Sequence, residues 1–346
     1  MAENLTPLDS LGEFGLIDRL RASVAPPRQA STLVGIGDDA AVLHPTAGLR
    51  QVVSTDLLLE GVHFDLTFCP LKHVGYKAVA VNVSDVAAMN ARPTQLVVGL
   101  AVGARFSVEA VEELYAGMRL ACEAYGVDLV GGDTTSSPGG HLLISITALG
   151  EVEEARLARR SGAQLNDLLC VTGDLGAAYL GLQVLNREKQ AFLADPDHRP
   201  DLDAYTYVVQ RQLRPEARMD VVHTLAELDV VPTAMLDISD GLASEVLHLC
   251  RASGVGAAVY QEKLPLAEET LDVAEELHLD PVTCALNGGE DYELLFTVPL
   301  AQHDRIRNHP DITIIGHMLA ADQRGAFLMT PSGNAIPLTA QGWTAF

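Results

Sequence analysis

Several short segments of this chain join carboxylates to small residues, a combination suited to binding metal ions and phosphates. The first is Gly35-Ile36-Gly37-Asp38-Asp39, and further ones occupy 54–56, 82–85, 131–135, 237–241 and 287–291. Glycine lets a ligand approach the backbone closely, and adjacent carboxylates repel each other unless a cation or proton settles the charge. A solvated turn explains a single Asp-Asp pair equally well. The recurrence of such segments favours a metal and phosphate site.

Asn82 and Asp85 belong to an Ala-rich, almost wholly apolar stretch, 77–90, whose periodicity predicts a buried helix. Three residues apart, they fall on one face of that helix. An unpaired carboxylate is costly to bury, so we expect Asp85 to be paired or to bind metal. Just before this helix, 51–56 reads as a strand that delivers Ser54, Thr55 and Asp56 at its carboxyl end.

The segment 237–241 has two readings. Thr233–Ile238 is predicted to be a strand and Leu242–Ala252 a helix, so Ser239 or Asp240 can serve as an N-cap. Helix N-termini also attract phosphate, and Asp237 at the strand end is not needed for capping. Arg160 can supply a planar fork to phosphate, or be an ordinary surface arginine beside Arg159.

No residue has the surroundings of a covalent nucleophile. His63 lies in a predicted loop, where a single histidine is more often structural than catalytic. Neither a G-x-G-x-x-G after a strand nor a G-x-x-x-x-G-K-[ST] occurs, so a Rossmann or P-loop nucleotide site is not supported. A nucleotide site must be built in another way.

The elements that position these segments alternate between strands and helices, which indicates an α/β protein. Beyond those already given, the predicted elements are helices at 8–25, 108–125 and 177–185 and strands at 95–102, 127–130, 141–150 and 292–298. A further hydrophobic strand begins at Leu168 and runs into a Gly-rich turn that ends at Gly176. With 346 residues the chain exceeds the usual size of a single core. We expect two domains, 1–150 and 151–346.

Composition excludes several classes of protein. A formal net charge of −23 argues against a nucleic-acid partner, which needs a basic face. No apolar run is long enough to span a bilayer and no signal peptide opens the chain, so we expect no membrane association and a cytoplasmic protein. The five cysteines are scattered without a C-x-x-C pair, which predicts buried, reduced thiols rather than disulfides or a zinc site.

Taken together and in order, these segments resemble the thiamine-monophosphate kinase family, of the superfamily that includes aminoimidazole ribonucleotide synthetase and selenophosphate synthetase. The resemblance covers nearly the whole chain, and its set of motifs is highly specific. The motifs are Gly35–Ala41, Ser54–Asp56, Gly61–Phe64, Lys77–Met89, Gly131–Thr135, Thr172-Gly173, Leu236–Gly241 and Gly288–Leu294.

The resemblance implies a two-domain aminoimidazole ribonucleotide synthetase-like fold of α/β (α+β) class, with a dimerising N-terminal sheet domain. A C-terminal α/β domain would close over ATP, which several Mg²⁺ ions hold. The positions that match metal ligands are Asp39, Ser54, Thr55, Asp56, Asp85, Asp133, Asp237 and Asp240. Those that match nucleotide contacts are Gly132, Asp133, Arg160 and Ser239, and those near thiamine monophosphate are His63, Glu290 and Trp343.

The implied reaction is Mg²⁺-assisted, in-line transfer of a phosphoryl group from ATP to thiamine monophosphate in a homodimer. Such a transfer needs alignment and charge stabilisation more than a protein nucleophile. Two relatives are less favoured: selenophosphate synthetase needs an early reactive Cys, whereas the first here is Cys69, and the Ser54-Thr55-Asp56 form differs from aminoimidazole ribonucleotide synthetase. A metal-dependent phosphohydrolase and a non-catalytic nucleotide-binding regulator are the alternatives from other classes.

Overall fold

A computed structural model describes residues 5–342 except 196, 198 and 324, without the side chains of 13 and 14. The chain divides into two compact units. The first comprises the residues up to Val86 together with Ala91–Glu154. The second comprises Ala87–Asn90 and the residues from Ala155 onwards. Each unit has its own sheet.

Unit 1 contains a four-stranded sheet, a small hairpin-like pair and three helices. Its elements are α1 (Leu8–Ser23), β1 (Thr32–Val34), β2 (Val42–Leu43), β3 (Leu49–Leu59), α2 (Leu71–Ala88), β4 (Arg92–Val102), α3 (Val108–Tyr125), β5 (Asp128–Ser136) and β6 (Leu143–Glu153). The larger sheet has the order β3-β6-β4-β5, so β3 and β5 are its two edges. Only the β4·β5 pair is parallel.

Helix α2 is buried on nearly all sides, as its apolar sequence predicts. It meets α3 at two glycines: a Cβ on Gly75 would lie 1.9 Å from the carbonyl oxygen of Leu114, and one on Gly117 would lie 1.9 Å from that of Lys72. The two helix backbones therefore approach closely because neither glycine has a side chain. This contact fixes α2, which carries Asn82 and Asp85.

Unit 2 is built around a seven-stranded mixed sheet. Its strands are β7 (Leu168–Thr172), β8 (Ala234–Asp237), β9 (Gly256–Tyr260), β10 (Leu294–Val298), β11 (Ile312–Leu319), β12 (Gly325–Met329) and β13 (Ala335–Pro337). Its α-helices are α4 (Ala177–Ala194), α5 (Thr206–Leu213), α6 (Met219–Glu227), α7 (Leu242–Ser253), α8 (Glu268–Glu276), α9 (Pro281–Asn287) and α10 (His303–Ile306). Three short 3₁₀ turns at Asp203–Tyr205, Gln261–Lys263 and Leu300–Gln302 complete the described elements.

The strand order in unit 2 is β13-β12-β9-β11-β7-β10-β8. Only β9 and β12 pair in parallel. Helix α7 packs on the sheet through Leu242, Val246 and Leu249, which are fully buried. A second apolar cluster joins α4, α5, α8 and α9. Strands β8 and β10 thereby bring the segments 237–241 and 287–293 close together, because both segments adjoin the paired ends of these strands.

Two expected element ends differ from the structure. Strand β3 continues to Leu59, so Ser54, Thr55 and Asp56 lie within the strand rather than at its end. Strand β5 extends to Ser136 and includes Gly131–Thr135, beyond the predicted end of the strand at 130. In both cases pairing with a neighbouring strand outweighs the local preference of Gly, Ser and Asp for turns.

The types of the other predicted helices and strands are confirmed, although several of their ends differ. Helix α3 has the predicted limits, α2 begins six residues earlier than predicted, and α4 extends nine residues beyond the predicted end at 185. All five cysteines are free and buried. Within the described residues, no helix is both long enough and apolar enough to cross a bilayer.

Candidate functional site

Strand β3 and helix α2 bring the first predicted metal ligands together in unit 1. The Ser54 hydroxyl donates a hydrogen bond to Asp85 Oδ2, and the backbone N–H of Asp56 donates to Asn82 Oδ1 at 3.1 Å. Asn82 is fully buried and also donates to the carbonyl of Ala78 at 2.9 Å. The three-residue spacing of Asn82 and Asp85 on α2 therefore directs both side chains towards β3.

The Asp56 carboxyl is electrostatically strained. Burial, and after it the negative charge of Asp85, raise its pKa to about 6. Two carboxylates held close together in a half-buried position each disfavour the ionised form of the other. A divalent cation, which prefers oxygen ligands, would relieve that repulsion. The chemistry of this donor set fits Mg²⁺.

The other predicted ligands of unit 1 lie apart from this pair within one copy of the chain. Asp39 is exposed in the loop between β1 and β2, where its N–H bonds Asp38 Oδ1. Asp133 is exposed on β5 opposite Gly99, at the far edge of the sheet from Asp56. Three strand spacings separate those edges, which is about 14 Å. Across the described residues, no three His, Cys, Asp or Glu side chains assemble as a metal site.

Thr55 and Gly132 occupy special positions in this sheet. The Thr55 hydroxyl donates to the carbonyl of Ile146 and accepts from Thr147, so it lies on the sheet face opposite Asp56. A Cβ on Gly132 would lie 2.1 Å from the carbonyl oxygen of Val98. Only glycine fits there, and its backbone is left accessible on an exposed stretch of β5.

His63 accepts a hydrogen bond at Nδ1 from the Leu59 N–H, at 3.1 Å. That bond fixes the turn after β3 and, because Nδ1 is an acceptor, places the ring proton on Nε2. A nitrogen occupied in this way does not attack phosphorus. The structural role expected of a loop histidine is thus present.

In unit 2, Asp237 ends β8 and is only 6% exposed. Helix α7 begins after Gly241 and has no side-chain cap. The capping role suggested for Ser239 or Asp240 is therefore not observed. Gly241 has φ 108°, and a Cβ there would lie 2.7 Å from the carbonyl oxygen of Leu286. The turn needs glycine for both reasons.

Glu245 and His248 surround Asp240 and are functional candidates that sequence reasoning missed. Glu245 Oε1 accepts from the Asp240 N–H at 3.1 Å. Burial is the main cause that raises the pKa of Glu245, to about 7. Burial also raises the pKa of Asp240, and the positive charges of His248 and Arg160 oppose that rise. A signal existed: Glu245 falls on the apolar face of α7, where a carboxylate is unexpected.

Arg160 lies on an exposed stretch. Its charge nevertheless acts on both Asp240 and Glu245, where it partly offsets the rise in pKa that burial causes. Ser239, Asp240 and Arg160 therefore belong to one neighbourhood in unit 2. A guanidinium can bind phosphate oxygens and carboxylates can bind divalent metal ions, so this neighbourhood is suited to a metal-bound phosphate.

The segment 287–293 is held by buried charges. Asp291 is 1% exposed and accepts two hydrogen bonds from the Gly176 N–H, at 3.0 and 3.1 Å. Burial raises its pKa to about 7, although the charge of Arg211 opposes the shift. Glu293 is paired with Arg211 at 2.9 Å and Arg218 at 2.7 Å. These contacts present Glu290, whose carboxylate accepts from Gln212. Trp343 lies outside the described residues.

Comparison with known proteins places these units in a family. A family profile described as AIR synthase related protein, N-terminal domain, matches residues 37–152. Its companion, AIR synthase related protein, C-terminal domain, matches 166–323. The hydrogenase maturation protein HypE, at 22% identity and a TM-score of 0.70, shares the fold.

More similar relatives cover almost the whole chain. A thiamine-monophosphate kinase from Aquifex aeolicus is 38% identical over 311 residues, which are 90% of this chain and 92% of that protein. One from Bacillus subtilis is 33% identical over 97% of this chain and 100% of its own length. The solved structure of AaThiL complexed with AMPPCP and TMP is 35% identical, has a TM-score of 0.74 and covers 99% of this chain and 100% of that one.

Proposed function

This chain belongs to the thiamine-monophosphate kinase family, and from that premise we propose that it transfers the γ-phosphoryl group of ATP to thiamine monophosphate, giving thiamine diphosphate. The observation that carries the proposal is identity of 38% and 33% to kinases of that name across 90% and 97% of the chain. A related structure holds AMPPCP, an ATP analogue, together with TMP. ATP is thus the co-substrate.

We propose that Mg²⁺ is held by Asp56, Asp85 and Ser54 in unit 1, with Thr55, Asp39 and Asp133 contributing, and by Asp237 and Asp240 in unit 2. The raised pKa of Asp56 supports the first set, because a desolvated carboxylate pair suits a hard divalent cation. Bound Mg²⁺ supplies positive charge beside the ATP phosphates. The carboxylates alone would repel the nucleotide, so they cannot serve as its binding site without cations.

The chain's own residues supply position and charge at the nucleotide. The backbone of Gly132 and Asp133 is accessible, and Ser239 and Arg160 lie in one neighbourhood of unit 2. Arg160 suits a phosphate oxygen, because its guanidinium is planar and permanently charged. That unit 2 closes over the nucleotide stays a prediction.

Transfer is proposed to be direct, without a phosphorylated enzyme. His63 has Nδ1 engaged by Leu59, and the five cysteines are buried, with burial raising the pKa of four of them. ATP that is chiral at the γ-phosphorus tests the step, since one in-line displacement inverts configuration and two retain it. Retention, or a phosphoryl group trapped on His63, would contradict direct transfer.

A homodimer is proposed because, among the residues that the structure describes, no helix or strand packs on one face of the four-stranded sheet. Val53 and Leu57 on β3 are 64% and 51% exposed, whereas α2 and α3 contact the sheet at the side chains of Ser54 and Gly150 and at β5. A second copy can close the two sheets into a barrel about a twofold axis, with β3 of one copy beside β5 of the other. This arrangement would bring Asp56 and Asp133 of different copies together.

The activity assay measures thiamine diphosphate and ADP from ATP, with and without thiamine monophosphate. A kinase forms both products only when thiamine monophosphate and Mg²⁺ are present. ADP release that is independent of the acceptor would indicate the metal-dependent phosphohydrolase instead. ATP binding with neither product would indicate a non-catalytic nucleotide-binding regulator.

A further inference from the structure

Gln212 is a buried side chain that touches a predicted substrate residue. It lies on α5, is 6% exposed, and its amide Nε2 donates to Glu290 Oε2 at 2.6 Å. The donor must be the amide nitrogen, because a carboxylate only accepts, so the orientation of the amide is fixed. Its carbonyl oxygen therefore faces away from Glu290.

That carbonyl, Oε1, is buried and accepts from no protein donor in the part of the chain that the structure describes. A buried acceptor that lacks a donor lowers stability, and a group of this kind in a folded protein calls for a functional explanation. An apolar side chain of the same length would occupy this place on α5 without that cost. Gln212 is therefore a poor choice for stability alone.

The backbone around Glu290 is also unusual. Glu290 and Tyr292 have φ of 60° and 52°, a region that residues other than glycine seldom occupy. Asp291 and Glu293, which follow them, are anchored in the interior by Gly176 and by Arg211 and Arg218. Strained backbone of this kind persists where surrounding contacts impose it, and it clusters at ligand sites. The backbone position and the side-chain direction of Glu290 are thus both fixed in advance.

Resting on the proposed function, we propose that Gln212 is a positioning residue for Glu290 and so sets selectivity for an acceptor that carries the amino group of the thiamine pyrimidine ring. A carboxylate accepts hydrogen bonds and repels phosphate, so Glu290 suits the amino end of the acceptor rather than its phosphate end. Gln212 holds the carboxylate in the direction that this amino group requires. Its contribution is to recognition, not to the chemical step.

The test compares two acceptors in wild type and in Gln212→Met, an apolar side chain of similar length. The acceptors are thiamine monophosphate and oxythiamine monophosphate, in which a carbonyl replaces the amino group. Wild type should favour thiamine monophosphate in kcat/KM by about tenfold or more, the value of one hydrogen bond to a charged group. In Gln212→Met the KM for thiamine monophosphate should rise about tenfold, and the KM values for oxythiamine monophosphate and ATP should change less than about twofold.

Gln210→Met is the matched control, because Gln210 lies on the same helix and is exposed. Gln210→Met should leave the KM values for both acceptors unchanged. The Tm of Gln212→Met should equal or exceed that of wild type, since the donorless carbonyl is removed. In a Glu290→Gln background, Gln212→Met should cause no further rise in the KM for thiamine monophosphate, because both residues act through one contact.

Equal losses with both acceptors, or an unchanged KM for thiamine monophosphate in a folded variant, would overturn the proposal. If Gln212→Met does not fold, Gln212→Asn, which withdraws the amide by one methylene, replaces it under the same expectation. Failure of the proposed function is separate: wild type itself would then not phosphorylate thiamine monophosphate.

Discussion

At the residue scale, the desolvated charge of Asp56 lowers the stability of the folded protein, and the same charge is proposed to bind Mg²⁺. We expect Asp56→Asn to lower turnover about a hundredfold or more, since even indirect metal partners contribute up to that factor. In metal-free buffer its Tm should equal or exceed that of wild type, because a desolvated charge is removed. Steady-state rates at saturating Mg²⁺ and thermal melting measure the two effects.

Asp272→Asn is the control for Asp56→Asn, because Asp272 is exposed on α8. Asp272→Asn should change neither the turnover nor the Tm. Near wild-type turnover in Asp56→Asn would remove Asp56 from the proposed metal site, whatever the melting temperature shows.

Asp291 yields a prediction about pH and stability. Its pKa in the folded protein is raised from 3.8 to about 7. The folded state therefore binds the Asp291 proton more tightly than the unfolded state. The stabilisation that this proton gives is fully present below about pH 4 and is lost as the pH rises through 7. Relative to wild type, Asp291→Asn should gain about 3 kcal/mol in free energy of unfolding between pH 5 and pH 8.

Denaturant unfolding of both proteins across that pH range measures the Asp291 effect. The difference between them isolates this carboxyl, because Asp56 and Glu245 titrate in both. A difference that is independent of pH would show that Asp291 stays ionised in the folded state, held by Arg211.

At the element scale, the crossing of α2 and α3 decides where Asn82 and Asp85 lie. Gly117→Ala would place a Cβ 1.9 Å from the carbonyl oxygen of Lys72, which the helix backbones cannot accommodate without moving apart. We expect a loss of about 3 kcal/mol or more in the free energy of unfolding. Because α2 would shift against β3, turnover should fall as well.

Gly139→Ala is the matched substitution for this crossing, since a Cβ there meets only a His141 side-chain carbon at 3.6 Å. Urea denaturation should show it within about 0.5 kcal/mol of wild type. Equal stability of both variants would mean that the helices are not held by close backbone contact.

At the scale of the whole molecule, the open sheet face of unit 1 predicts a dimer. Val53→Arg would introduce a charge into the proposed apolar interface, and we expect it to yield monomers in sedimentation at micromolar concentration. Leu271→Arg, at an exposed position of α8, should sediment as wild type does. A wild-type monomer at all concentrations would refute the dimer.

A second whole-molecule prediction concerns sharing of the metal site. If Asp56 and Asp133 of different copies meet, the inactive variants Asp56→Asn and Asp133→Asn should restore one intact site per mixed dimer when they are co-expressed. Random pairing then gives about one quarter of wild-type activity. Activity no higher than that of either variant alone would place both carboxylates at separate sites.

The sequence alone predicted the types of many of the elements and the residues of the proposed site. Apolar periodicity predicted α2 and α3, and a continuous apolar run predicted β7, because burial in a core selects the side chains of each element and that signal is local. Asn82 and Asp85 were placed on one face by spacing alone, and the structure confirms that both face β3. The motif set also identified the family that the comparisons then showed.

Only the tertiary structure decided which of these residues meet. Strand order places Asp133 at the edge opposite Asp56, and no local pattern encodes strand order, because pairing joins residues distant in sequence. Sheet pairing likewise overrode the turn preference of Gly131–Thr135. Glu245 and Gln212 were recognised as candidates only because the structure shows them to be buried. The cost of burying a polar group, and therefore the reason to look for a role, depends on surroundings that the sequence does not give.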